Sequence, residues 1–230
     1  MKALVLFSGG LDSTTCLALA VSKFGAENVM ALSMQYGQKH DKETKCAEEL
    51  AKYYDVELKH YDLSSIFESS DCSLLKGSSE EVPEESYDEQ LKSRHGNPVS
   101  TYVPFRNGLF LSVAASLALS YKCDVVFYGI HRDDAAGSAY PDCSVEFNLA
   151  MRNAIVQGTG GKIDLVAPFV DMTKADIVAI GTDLNVPYEM TWSCYNGGNK
   201  PCGKCGTCID RIKAFELNGL EDPLEYDEAK

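Results

Sequence analysis

Residues 3–7, Ala-Leu-Val-Leu-Phe, form a continuous apolar run that stops at Ser8-Gly9-Gly10-Leu11-Asp12-Ser13-Thr14. An apolar-periodic segment starts directly after it. No other feature restricts the fold as strongly. A short, unbroken apolar run reads as a strand buried on both faces of a parallel sheet. Residues 14–23 read as a helix, with Cys16, Leu17, Leu19, Ala20 and Val21 as its apolar residues. The turn between them presents free N–H groups at a helix start, where the dipole favours an anion. Gly9 and Gly10 permit close backbone approach to phosphate. Ser8 and Ser13 offer hydroxyl donors, and Asp12 either holds the loop or helps to place Mg²⁺. A Ser-Gly-Gly turn alone is a common structural device; the Asp-Ser-Thr extension on the first strand favours the phosphate reading. The loop ends without a lysine, so it is not of the GxxxxGK[ST] type.

The 230 residues suffice for one sizeable core, or one core with a small appendage. A net charge of −13 argues against nonspecific binding to nucleic-acid backbones. The opening apolar stretch ends at Ser8 with Asp12 close behind, too short for a secretory signal. No apolar run has transmembrane length. The expected location is the cytoplasm, where the nine cysteines read as metal ligands, catalytic thiols or core residues rather than disulfides.

Strand and helix patterns alternate along the chain, which predicts an α/β fold with a mostly parallel, Rossmann-like sheet and flanking helices. Further strands are expected at 29–34, 56–63, 124–130 and 163–167, and helices at 39–54, 109–121 and 144–157. Thr173 with Asp176 reads as the cap of a helix reaching 184. Residues 64–100, rich in Ser and Glu, read as a mobile lid near the active site or as a solvated excursion. Residues 131–142 form an acidic loop. The expected organisation is one nucleotide-binding domain over 1–190 and a cysteine-bearing tail over 191–230. His60 and His95 are assigned no role.

The tail carries Cys194-x7-Cys202-x2-Cys205-x2-Cys208. Gaps of this size let four thiolates converge on one ion, and four sulfurs without an open position imply a closed structural zinc site. An iron–sulfur cluster is the competing reading. Lys200, Lys204 and Arg211 stand where they would moderate the thiolate charge, and metal binding would replace a core too small to hold the tail. Cys16, Cys46, Cys72, Cys123 and Cys143 are assigned no catalytic role.

With both motifs in place, the chain resembles the 7-cyano-7-deazaguanine synthases over nearly its full length. Residues 7–14 resemble the SGGxDS pyrophosphatase loop of ATP enzymes that leave AMP on their substrate. Gln35-Tyr36-Gly37-Gln38-Lys39-His40, Val103-Pro104-Phe105-Arg106-Asn107, Tyr140-Pro141-Asp142-Cys143 and Thr191-Trp192-Ser193-Cys194-Tyr195-Asn196-Gly197 follow in the order of that family's motifs. One departure is Phe105, which stands where glycine or a small polar residue is expected. The resemblance implies an adenine nucleotide alpha hydrolase-like fold and an ATP-dependent ligase of queuosine biosynthesis. Its substrates would be 7-carboxy-7-deazaguanine, ammonia and ATP with Mg²⁺. The acid would be adenylated and converted to the amide, and the amide adenylated and converted to the nitrile. One structural zinc per chain and a homodimer are implied, with no nucleic-acid or membrane partner.

Site roles follow. Ser8, Gly9, Gly10, Leu11, Asp12, Ser13 and Thr14 would bind ATP, with Gln38, Lys39 and His40 along the same pocket unless they form an exposed helix start. Asp12 and Arg106 are the catalytic candidates, the forked guanidinium clamping phosphate or carboxylate. Asn107, Asp133, Tyr140 and Asp142 are the substrate-binding candidates, with Asp134 beside them. The acids would accept ring N–H groups and Tyr140 would stack on the heterocycle. Arg106 and Asn107 have an alternative role in capping the next helix. Three other functions share the loop: a tRNA thiolation enzyme, disfavoured by the acidity; a synthetase of the NAD or GMP type, which has no use for the tail; and a nucleotide sensor without turnover.

Overall fold

The computed structural model describes residues 1–94 and 97–227. His95 lies outside them, and the expected lid and tail spans both run into undescribed positions. The strands are β1 Ala3–Leu6, β2 Val29–Gln35, β3 Glu57–Asp62, β4 Val125–Phe127 and β5 Asp164–Val166. All pair in parallel, in the order β3-β2-β1-β4-β5. The helices are α1 Leu11–Phe24, α2 Lys42–Tyr53, α3 Tyr87–Arg94, α4 Arg106–Ser120, α5 Arg132–Ala135, α6 Val145–Gly158, α7 Lys174–Asp183 and α8 Gly206–Leu217. The expected parallel α/β sheet is present.

Successive residues of β1 serve opposite faces, as strand geometry requires. Ala3 and Val5 join a core with α1, α2, α7 and α8; Leu4 joins a second core with α4 and α6. With both faces covered, the strand is apolar throughout. The strand order reverses between β1 and β4, so the crevice beyond their carboxyl ends is the place for a ligand.

Helix boundaries differ from the periodic pattern in a way that matters for the site. α1 begins at Leu11 rather than 14, with Gly10 as N-cap, so the acidic loop residue Asp12 lies in its first turn. α4 begins at Arg106, not 109. α2 begins at Lys42, which leaves Gln38 and Lys39 on the approach, where Gln38 bridges to Leu75. β4 stops at Phe127, short of the expected 130. α7 has the expected capping box: the Thr173 hydroxyl accepts from Asp176 N, and Asp176 accepts from Thr173 N.

Segment 64–100 contains α3, which no periodicity announced, because its inward side is made of Tyr87, Gln90 and the partly buried Leu91 among polar residues. Phe67, Cys72, Leu74 and Leu75 form a small apolar cluster with Tyr36 and Val103. In the tail, α8 places Ala214 and Phe215 in the same core as β1, so apolar packing as well as any metal holds it. Arg211 does not turn to the thiolates. It is buried and pairs with Asp222, 2.7 Å from Nε to Oδ2. No helix among the described residues is long and apolar enough to cross a membrane.

Candidate active site

The turn after β1 is closed by its own side chains. Ser8 Oγ accepts from Gly10 N at 3.2 Å and lies 3.1 Å from Ser13 Oγ. Ser13 and Thr14 hydroxyls donate to the Gly10 carbonyl at 3.1 and 2.8 Å. Gly9 has φ +87°, and a Cβ there would lie 2.6 Å from Ala47 N, so α2 packs directly on its backbone. Its carbonyl accepts from Trp192 N at 3.1 Å, which ties the tail to the loop. Ser8, Gly10, Leu11, Asp12 and Ser13 face the crevice; Gly9 and the fully buried Thr14 stand behind it.

At the loop's open end, Asp12 Oδ2 lies 3.5 Å from Lys174 Nζ and 3.8 Å from His131 Nε2. Asp134 Oδ2 lies 3.4 Å from the same imidazole nitrogen. Asp12 Oδ1 and both His131 nitrogens are buried without a hydrogen-bond partner. Burial works against the Lys174 ammonium, but the Asp12, Asp134 and Asp210 carboxylates outweigh it and hold its pKa above the usual lysine range. The loop has no lysine of its own, and α7 places one beside it. Lys174 and His131 escaped the sequence reading. A cation in the first turn of a helix runs against the helix dipole, and that was the available signal.

The expected substrate acids separate. Asp134 lines the crevice, whereas Asp133 Oδ2 accepts from Lys174 N at 2.8 Å and does not. Asp142 is buried behind the wall, where Oδ2 accepts from Asn107 N at 2.9 Å. Asn107 also donates through Nδ2 to the Asp142 carbonyl at 3.2 Å, so the helix-start role is realised while Asn107 still lines the crevice. Tyr140 is not on the wall; its hydroxyl lies 2.6 Å from Thr101 Oγ1 and 3.3 Å from the Tyr195 hydroxyl. The aromatic residues on the wall are Phe7, Tyr36, Tyr87, Phe110, Tyr128 and Tyr195.

Arg106 lines the crevice with its guanidinium 5.2 Å from the Tyr36 ring centre, a cation–π geometry. Phe105 before it has φ +53°, the left-handed region that favours glycine, which accounts for the small residue expected there. Gln38 lines the crevice and accepts from Tyr36 N at 3.0 Å; Lys39 instead donates to the Glu80 carbonyl at 2.7 Å. His40 stands outside it, by the tail, with its pKa lowered mainly by burial. Glu43, in the first turn of α2, lines the crevice and was not anticipated. Burial raises its carboxyl from the ordinary 4.5 to about 7.

The Sγ atoms of Cys194, Cys202, Cys205 and Cys208 lie within 4.8 Å of one another. Backbone N–H groups of Asn196 and Cys202 donate to Cys194 Sγ, and those of Lys204 and Cys205 to Cys202 Sγ. Hydrogen bonds from the Cys205 and Cys208 thiols push Cys194 well below the usual thiol range. Converging, largely buried sulfurs with N–H donors suit a thiolate-bound metal.

The family profile described as "Queuosine biosynthesis protein QueC" matches residues 2–219. The chain belongs to the QueC family. Curated relatives named 7-cyano-7-deazaguanine synthase, which are carbon–nitrogen ligases, are close over nearly the whole chain. The protein from Archaeoglobus fulgidus is 45% identical, covering 99% of this chain and 91% of its own. That from Thermoplasma acidophilum is 46% identical, covering 98% and 92%. Among solved structures, NMN synthetase from Francisella tularensis superposes with a TM-score of 0.53 at 16% identity, covering 96% of this chain and 78% of that one. The U34-tRNA thiolase NcsA from Methanococcus maripaludis, with its [4Fe-4S] cluster, gives 0.51 at 15% identity, covering 95% and 67%. At such identities these two show that the chain shares their fold, and no more.

Proposed function

We propose that this chain converts 7-carboxy-7-deazaguanine and ammonia to 7-cyano-7-deazaguanine through two ATP-dependent activations at one site. The observation that carries this reading is the crevice at the β1/β4 switch point. A phosphate-type loop with Lys174 lies at one side, and Arg106 with a wall of aromatic side chains lines another. A carboxylate is a poor electrophile. Adenylation makes one oxygen a leaving group, ammonia displaces AMP to give the amide, and a second adenylation allows loss of AMP to leave the nitrile. Acid and amide are nearly isosteric, so one site serves both steps.

The loop residues 8–14 and Gln38 would hold ATP, with Gly9, Thr14 and Lys39 supporting from behind. Asp12 would help to place Mg²⁺, and Lys174 and Arg106 would clamp anionic oxygens. The heterocycle would lie against the tyrosines, with Asp134 accepting ring N–H groups. Asp133, Asp142 and Tyr140 would fix α7, α4 and the wall rather than touch substrate. In this reading the four cysteines hold a structural zinc, and the chain works as a cytoplasmic homodimer. Light scattering that returned a single-chain mass would remove the dimer.

Incubation with ATP, ammonium and 7-carboxy-7-deazaguanine is expected to yield AMP, pyrophosphate and the nitrile mass. ATP binding without any product would favour the sensor reading and overturn this one. Elemental analysis is expected to find about one zinc per chain, from the four-thiolate rule. Stoichiometric iron would replace the zinc assignment with a cluster.

A further inference from the structure

Ammonium must lose a proton before it can act as a nucleophile, and the crevice wall carries three carboxylates able to accept one, those of Asp12, Glu43 and Asp134. Two already face a cation. Asp12 lies 3.5 Å from the Lys174 ammonium, and Asp134 acts on the same ammonium. A carboxylate held by a cation is a weak proton acceptor. Glu43 differs, because among the described residues its carboxyl takes no hydrogen bond and no ion pair.

Its placement also fits. Glu43 stands in the first turn of α2, which packs against the loop, with Oε1 3.9 Å from the point where a Gly10 side chain would begin. Arg106 on α4, Asp12 on α1, Tyr36 after β2 and Cys194 in the tail are the charged or titratable groups that act on it or on which it acts. Cys46 is the one on its own helix. The carboxyl therefore faces the loop where the acyl phosphate would form, within electrostatic reach of the proposed clamp.

We propose that Glu43 is the base that accepts a proton from ammonium during amide formation. This rests on the ligase reading above. One N–H bond of ammonium breaks as the Glu43 O–H bond forms. The freed lone pair then attacks the acyl carbon, and the new C–N bond is followed by cleavage of the C–O bond to AMP. The second proton lost from nitrogen leaves on the departing phosphate. Burial, which keeps this carboxyl protonatable near neutrality, suits a general base.

The test compares wild type, E43Q and E43D in three assays. Carboxylate-dependent ATP–pyrophosphate exchange reports adenylation alone and is expected to stay within about threefold in E43Q. Amide formation from ammonium is expected to fall about 10²–10³-fold, the usual share of a general base. Hydroxylamine, unprotonated near neutrality, needs no base and is expected to restore E43Q to within about threefold of wild type. E43D should keep an acid limb in the pH profile of amide formation that E43Q lacks, since a carboxylate remains. Retained exchange also certifies that the fold is intact. Equal loss of exchange in E43Q would assign Glu43 to nucleotide or magnesium and overturn the proposal. Undiminished use of ammonium, or no rescue by hydroxylamine, would do the same. Wild type without any exchange would instead remove the ligase reading, and the base with it.

Discussion

Asp12→Ala is expected to abolish nitrile formation, with a loss of about 10³-fold or more in kcat/KM, the scale of losing one preorganised charge at a reacting phosphate. The acid lies in the first turn of α1 with its side chain partly open to the crevice. Its Oδ1 is buried and has no hydrogen-bond partner, so the carboxylate keeps an unused acceptor position. Removal takes away that oxygen and one counter-charge of Lys174. The fold should survive, because Asp134 and Asp210 still act on the same ammonium. A stability loss of at most about 2 kcal/mol is expected, below the cost of a fully orphaned buried charge. Steady-state rates beside a thermal melt decide the matter. A variant that turns over within about threefold of wild type would show that the loop is not used for adenylation.

The sheet and the loop were legible in the sequence because their causes are local. A strand covered on both faces must be apolar at every position, and a turn made of backbone and hydroxyls must spell itself in Gly and Ser. The charged centre was legible only in part, because it is made where α1, α2, α5 and α7 meet. Asp133 and Asp134 are neighbours in one helical turn, and only the third dimension shows that α7 takes the first while the crevice takes the second. Asp142 and Tyr140 stand in the right motif but one layer behind the wall, holding Asn107 and Thr101. Helix α3 was invisible since Tyr87, Gln90 and Leu91 make too short a face for an apolar stripe. Glu43 reads in sequence as one more acid on a charged helix, and only its place on the crevice wall beside the loop sets it apart.

Arg211 carries the second large expectation. Arg211→Ala should lower folding stability by about 3–5 kcal/mol, the range for breaking a buried ion pair. The guanidinium is 1% exposed. It donates from Nε to Asp222 Oδ2 at 2.7 Å, from Nη2 to Asp222 Oδ1 at 3.0 Å, and from Nη1 to Thr191 Oγ1 at 2.6 Å. Its Nη2 also donates to the Tyr188 carbonyl at 3.0 Å. Truncation leaves Asp222 buried with only Tyr226 and Leu224 N as donors. The damage should spread to catalysis, because Thr191 adjoins Trp192, whose N–H holds the Gly9 carbonyl. A double variant, R211M with D222L, removes both charges and should recover most of the lost stability, since paired buried ions are often replaceable by apolar groups. Denaturant melts of the single and double variants check this, and a single variant within about 1 kcal/mol of wild type would sink it. Chelation tests the other hold on the tail. With Ala214 and Phe215 seated in the main core, metal removal should loosen residues 194–205 while the Ala214–Phe215 end of α8 stays docked, so the ion pair and the thiolates secure opposite ends of one segment.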